Sequence, residues 1–318
     1  QIDGNFVGLG VEIKDDGGEL LVVSVLPDSP AQDAGLVAGD RIVAIAGVGT
    51  SSLGLDRAVN RLAGPAGSAV TIEVRSAGRG LRRLTLRRRP VEVHSVTESR
   101  LVDPSLGIAY IRLASFQKTT SQELDAALWR LHRKGMRGLI LDMRGNPGGL
   151  LTSAVEVSDK FVQRGAIVST RGRAAGQSWR YSAQQGKTWN VPLVVLIDGD
   201  SASASEIVAA CIRDQRRGTL VGRTTYGKGS VQTIFPLQSV STGLRLTTAR
   251  FYSPSGHPLD HVGVQPDVVV EQSAYRGAVP SAQLTAPFGA SRPTQEGESS
   301  DPQLSAAVRV ARQQLARR

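Results

Sequence analysis

Gly138-Leu139-Ile140-Leu141-Asp142 runs straight into Met143-Arg144-Gly145-Asn146-Pro147-Gly148-Gly149, and the residues from Leu150 to Phe161 then take up helical spacing. A short, wholly apolar run is a strand buried on both faces. Strand, glycine turn and helix in that order form the repeating unit of an α/β sheet. The same order returns downstream. Leu193-Val194-Val195-Leu196-Ile197 is a second buried strand, Asp198-Gly199-Asp200-Ser201-Ala202-Ser203 is its turn, and a helix continues through about Arg213. Ile108 to Leu113 reads as a further strand, and Ser121 to Lys134 as an amphipathic helix with Leu124, Leu128 and Leu131 on one face. Strands are also expected over 218–222, 231–236 and 243–252. The spacing predicts an α/β core over residues 91–272.

The flanks differ. Residues 5–90 break into short alternating strands around Pro27-Asp28-Ser29-Pro30-Ala31, a capped helix start that ends at Gly35. The stretch 273–302 is rich in Ser, Ala, Pro, Thr and Gln and reads as a flexible linker. Residues 303–318 read as a closing amphipathic helix carrying Leu304, Val308, Val310 and Leu315.

Composition narrows the function classes. Aromatic residues are 4% of the chain, so the core rests on Val, Leu, Ile and Ala. The formal charge of +10 invites a nucleic-acid reading. However, the basic cluster Arg82-Arg83 with Arg87-Arg88-Arg89 has no aromatic residues interleaved, as single-strand binding requires. It is expected to be a solvated strand end, with no nucleic-acid partner. Cys211 is the single cysteine and sits in an apolar helical stretch, so neither a disulfide nor a catalytic thiol is expected. His94, His132, His257 and His261 have no metal-ligand spacing, so neither metal nor cofactor is expected. No apolar run approaches about 20 residues, so no membrane-spanning helix is expected, and no leader segment is read in the chain.

Three segments carry chemistry. Gly148-Gly149 before a helix can offer backbone N–H groups at the positive end of the helix dipole, where an oxyanion or phosphate sits well. On its own this is equally a tight turn, for which Asp142 would hold the glycines in place. Ser201-Ala202-Ser203-Ala204-Ser205-Glu206 also opens a helix, where a serine alkoxide is stabilised. On its own it is equally a serine N-cap with Glu206 completing a capping box. Tyr226-Gly227-Lys228-Gly229-Ser230-Val231-Gln232 places a lysine between glycines. In a dry pocket desolvation lowers its pKa, and a neutral amine can then act as base toward a hydroxyl.

Together, in this order, these segments resemble the carboxyl-terminal processing peptidases, or tail-specific proteases. Tyr252-Ser253-Pro254-Ser255-Gly256 and Gly263-Val264-Gln265-Pro266-Asp267 extend the resemblance, which covers about residues 5–270. In that family a serine precedes the lysine by 25 positions and a glutamine follows it by four. Ser203, Lys228 and Gln232 satisfy both spacings; Ser201 and Ser205 do not. The resemblance therefore implies Ser203 as nucleophile, Lys228 as base and Gln232 as its positioner. Oxyanion donors would be Ala204 and either Gly148 or Gly149. It also implies a crotonase/ClpP-like core. Residues 5–90 would be a PDZ-like module, with Gly8, Leu9, Gly10 and Val11 gripping a substrate's terminal carboxylate. Met143 and His257 depart from the family's commoner leucine and arginine.

The implied function is a serine endopeptidase acting on proteins with exposed C-terminal tails, in the periplasm or exported to the bacterial envelope. Whether it works as a homo-oligomer or with an activating adaptor is left open. A non-catalytic tail-binding scaffold and a coenzyme A-dependent crotonase-type enzyme are the alternatives. Neither accounts for the Ser–Lys–Gln spacing.

Overall fold

The computed structural model describes residues 5–173, 176, 178–184, 186, 188–236, 243–271 and 301–317, and the side chains of all of these but 5–6, 232–236 and 243–245. They form two compact units, one ending at Val93 and the other beginning at His94.

The first unit contains β1 (Asn5–Gly8), β2 (Val11–Asp16), β3 (Glu19–Val25), α1 (Pro30–Asp33), β4 (Arg41–Ile45), β5 (Val48–Gly49), α2 (Leu55–Leu62), β6 (Ala69–Ser76), β7 (Gly80–Arg87) and β8 (Arg89–Glu92). An antiparallel sheet runs β2-β3-β4-β6-β7, with β5 on β4, while β1 pairs β8. Leu20 with Val22 and Ile72 with Val74 face one core by period-two alternation, and a register shift between Ile42 and Ala44 lets Ile42 and Ile45 both face it as well. Ser29 caps α1 by accepting from the Gln32 N–H at 3.2 Å, with Pro30 preset for the first turn.

The basic cluster is only in part the solvated strand end that was expected: Arg83, Arg87 and Arg89 are exposed, but Arg82 is half-buried and Arg88 is not solvated. Arg88 is buried, and its guanidinium donates to the Leu62 and Arg61 carbonyls at 2.8 Å each. Those carbonyls end α2 and have no partner within the helix, so the buried charge satisfies them. Arg82 bonds Asp40 at 3.2 Å.

The second unit contains β9 (Val96–Asp103), β10 (Ile108–Leu113), α3 (Thr120–Arg133), β11 (Gly138–Asp142), α4 (Leu151–Asp159), β12 (Ala166–Gly172), β13 (Trp179–Ser182), β14 (Leu193–Ile197), α5 (Ala204–Asp214), β15 (Thr219–Gly222), β16 (Ser230–Pro236), β17 (Gly243–Tyr252), β18 (Val268–Val269) and α6 (Pro302–Ala316). The main sheet runs β18-β15-β14-β11-β10-β9, parallel except for β9 at the edge. A second, antiparallel sheet runs β13-β12-β17-β16. This is the α/β core with an antiparallel companion sheet.

Apart from Arg112 and Asp142 near their carboxyl ends, the central strands β10, β11 and β14 are apolar, because both faces are covered. Ile111, Leu139, Leu141, Val195 and Ile197 meet α3, α4 and α5 on one side. Ile108, Tyr110, Ile140, Val194, Leu196 and Val221 meet α6 on the other. The most deeply buried apolar residues of α6 are Ala306, Ala307 and Ala311, whereas Leu304, Val308, Val310 and Leu315 are only partly buried. Small side chains let the helix axis approach the sheet, so the larger apolar residues flank the seam. The linker expected over 273–302 lies outside the described residues except for its end, where Asp301 caps α6 and Pro302 begins it. Among the described residues no helix is long and apolar enough to cross a membrane.

Candidate active site

Parallel strands β11 and β14 are neighbours, so their carboxyl ends deliver two turns side by side. In open α/β sheets that is where ligands bind. Asp198 ties the turns together. Its Oδ1 accepts from the Gly145 N–H at 2.9 Å and, within its own turn, from the Ser201 N–H at 3.0 Å.

The three serines at the head of α5 separate cleanly. Ser201 is buried and its hydroxyl donates to the Met143 carbonyl at 2.9 Å. Ser205 is buried and its hydroxyl donates to the Asn146 carbonyl at 2.9 Å. Both hydroxyls stitch the second turn to the first. Ser203 is partly exposed and is the N-cap of α5 with φ 57° and ψ −112°. Positive φ strains a residue with a side chain, and such strain gathers at functional sites.

The glycine turn lies against Ser203. A Cβ placed on Gly148 would stand 2.8 Å from both the Ser203 Cβ and the Ala204 nitrogen. One on Gly149 would stand 2.0 Å from the Phe116 carbonyl oxygen. The two glycines are not equivalent as donors. The Gly148 N–H already donates to Asn146 Oδ1 at 2.9 Å. The N–H groups of Gly149 and Ala204 have no hydrogen-bond partner among the described residues.

Beneath the first turn, Asp142 is fully buried. It accepts from the Tyr110 hydroxyl at 2.8 Å, the Arg144 N–H at 2.9 Å and the Arg144 guanidinium at 2.6 Å. It therefore holds the turn rather than facing a substrate. Burial, and then the Asp142 carboxylate, push the Tyr110 phenol up to about 12. Arg144 continues to Asp301 at the head of α6, at 2.8 and 3.0 Å. Burial works against the Arg144 charge, but the two carboxylates outweigh it and hold the guanidinium more firmly protonated than usual.

Lys228 lies on the loop between β15 and β16. Its side chain is exposed and makes no ion pair or hydrogen bond among the described residues. Gly227 and Gly229 let the loop run close to the chain at 259–263, where a Cβ on Gly229 would meet the Asp260 nitrogen at 2.1 Å. The Gln232 backbone pairs with Thr247 in β17, but its side chain lies outside the described residues. Cys211 is fully buried, and burial pushes its thiol up to about 12, so it is no nucleophile.

In the first unit, Gly8, Leu9 and Gly10 are buried and Val11 is partly so. The Leu9 side chain belongs to the unit's core and is not free for ligand contact. The Leu9 and Gly10 carbonyls accept from the Ala31 and Leu26 N–H groups, both at 2.9 Å. Gly10 has φ 77°, and a Cβ there would lie 2.2 Å from the Ser29 Cβ, so the loop demands glycine.

Sequence reasoning saw Glu206 only as half of a capping box. Its carboxylate in fact gathers donors from both the serine turn and the lysine loop. The signal for the second half lies some twenty residues away and has no local pattern.

Comparison with known proteins places this geometry. Residues 107–270 match the family model for peptidase family S41, and residues 21–76 match that for the PDZ domain. A carboxy-terminal-processing protease of Bartonella bacilliformis is 41% identical over 279 residues, covering 85% of this chain and 62% of the relative. A carboxyl-terminal-processing protease of Synechocystis is 37% identical over 284 residues, covering 88% and 65%. The chain thus spans under two thirds of the length of these curated relatives. Among solved structures, a photosystem II D1 C-terminal processing protease matches with a TM-score of 0.53 at 33% identity, covering 84% of this chain and 73% of its own. A Bacteroides fragilis S41 protease structure matches with a TM-score of 0.59 at 18% identity, covering 97% and 83%, a likeness of fold.

Proposed function

The chain belongs to peptidase family S41, and from that premise we propose that it is a serine endopeptidase cutting protein substrates near their C-termini through a Ser203–Lys228 dyad. The observation that carries this reading is the singling out of Ser203. Of three serines in one turn, it alone is partly exposed, strained, and set against glycines beside an uncommitted helix N-terminal N–H.

Ser203 Oγ attacks the scissile carbonyl carbon while Lys228 Nζ, as the neutral amine, takes its proton. The carbonyl oxygen becomes an oxyanion and accepts from the Ala204 and Gly149 N–H groups. Gly148 is the poorer candidate because its N–H is committed to Asn146. Each such donor is commonly worth about 10²–10³ in kcat. Collapse breaks the C–N bond, and Lys228 returns the proton to the leaving amine. Water then attacks the acyl-serine, with Lys228 again as base, and frees the serine and the new carboxylate. Lys228 stands in solvent in the free chain, so the bound peptide supplies the desolvation that a neutral lysine requires. Gln232, four residues on, orients the amine.

The PDZ unit supplies tail recognition, with the Gly8–Val11 loop receiving the terminal carboxylate through backbone N–H groups. The substrates are proteins with loosely folded, apolar C-termini in the cell envelope.

Casein proteolysis by the parent, Ser203→Ala and Lys228→Ala tests the dyad. Cleavage by the parent and loss in both variants is the expected result. A Ser203→Ala variant that cuts as fast as the parent would overturn the assignment.

A further inference from the structure

Glu206 is completely buried on the first turn of α5. One carboxylate oxygen, Oε2, accepts from the Ser203 N–H at 2.8 Å and from the Lys228 N–H at 2.8 Å. The other, Oε1, accepts from the Gly227 N–H at 2.7 Å and the Thr225 hydroxyl at 2.6 Å. Thr225 in turn accepts from the Val264 N–H at 2.7 Å. The backbone nitrogens of Ser203 and Lys228 are therefore two hydrogen bonds apart, joined through a single oxygen atom. A helix cap needs only the first of these bonds. The others reach a loop that α5 does not otherwise need.

We propose that Glu206 is the positioning residue of the dyad. Its carboxylate fixes the strained backbone of Ser203 and the lysine loop to one point before substrate arrives. The inference rests on the Ser203–Lys228 reading and goes beyond it by naming what holds the two in register. Only an ionised carboxylate suits the task, because four donors converge on it and both oxygens must accept. An amide would turn its NH₂ toward one of the donor pairs, and an aspartate, one methylene shorter, could reach only one side well.

The experiment compares the parent chain with Glu206→Gln, Glu206→Asp and, as a stability control, Val208→Ala. Val208 is buried on the same helix and its side chain has no hydrogen-bonding atom. Each is assayed below its melting temperature for kcat and KM on a peptide ending in an apolar residue. Each is also assayed for the rate at which a small fluorophosphonate labels Ser203. Glu206→Gln is expected to lose about 100-fold in kcat and in labelling, the scale of an ångström-sized misplacement, with KM little changed. Glu206→Asp should recover part of both, and Val208→Ala should keep both despite a lower melting temperature. Should Glu206→Gln fail to fold, Glu206→Asp carries the same comparison, and parent-like kcat and labelling in it would overturn the proposal. So would parent-like values in Glu206→Gln, or equal losses in Val208→Ala. Ser203→Ala and Lys228→Ala run alongside. If they stay active the dyad itself is wrong and this proposal falls with it. If they are dead while Glu206→Gln cuts normally, only the positioning role is lost.

Discussion

The turn after β11 and the turn after β14 start alike and end differently. Each follows a fully buried parallel strand, each has an aspartate where strand passes into turn, and each opens a helix. In the first, positive φ falls on glycines, 99° at Gly148 and 148° at Gly149, where it costs little. In the second it falls on Ser203, where it costs on the order of 1–3 kcal/mol. On the proposed reading the first is an oxyanion turn, which needs only N–H groups and can shed its side chains. On the same reading Ser203 is a nucleophile, which needs its side chain, so its turn bears strain and is held by further bonds. Those bonds come from Glu206, from Asp198, and from the Ser201 and Ser205 hydroxyls.

The sharpest way to break this contrast is to give the first turn a side chain. Gly149→Ala should destabilise the core by about 3 kcal/mol or more, because its Cβ meets backbone at Phe116 that cannot swing aside. Urea unfolding measures this. Gly148→Ala points its methyl at Ala202, Ser203 and Ala204, so it should cost more in kcat than in stability. Next comes the support beneath the first turn. Arg144→Met leaves Asp142 buried with its principal counter-charge removed, an expected loss of about 3 kcal/mol. The converse test relieves the second turn. Ser203→Gly should abolish cleavage yet raise stability by about 1 kcal/mol, read as a higher urea midpoint. A lower midpoint would show that the strain is not real.

The smallest effect concerns pH. Burial raises the Asp301 carboxyl, but the Arg144 guanidinium and the Leu304 N–H outweigh it, so it titrates below its usual range. A depressed carboxylate contributes stability that is fully present above its unfolded value, near 4. That contribution is lost as pH falls through the lower folded value. Asp301→Asn should therefore flatten stability against pH below about 4 and leave the slope near neutrality unchanged. Denaturant melts at stepped pH give the slopes.

The parts of the molecule that could be read from sequence are those where one local pattern meets one global demand. β11 and β14 were plain because burial on both faces leaves apolar residues everywhere but at Asp142, the end of β11. The three chemical segments were plain because each carries its residues within a few positions. β9, β12 and β13 were not foreseen. β9 is an edge strand mixing Glu98 and Arg100 with Leu101, and β13 is a largely exposed edge strand whose Trp179 faces solvent. Edges carry no strong apolar alternation. Arg88 was misread because a run of arginines looks like a solvated face until the carbonyls at the end of α2 are in place. For Lys228 the sequence can name a base but cannot show what surrounds it.

The seating of α6 has a consequence for how the chain acquires its fold. The Arg144–Asp301 contact spans 157 positions, and the alanine face of α6 covers strands that were finished far earlier in the chain. During synthesis those strands can pair while one side of the sheet, with Ile108, Ile140 and Val194, still faces water. Residues 302–316 must leave the ribosome before that side is closed. Closure of so long a loop comes late, and an open apolar face meanwhile invites association with other chains. Helix α6 thus decides when this face of a growing chain stops being a target for chaperones.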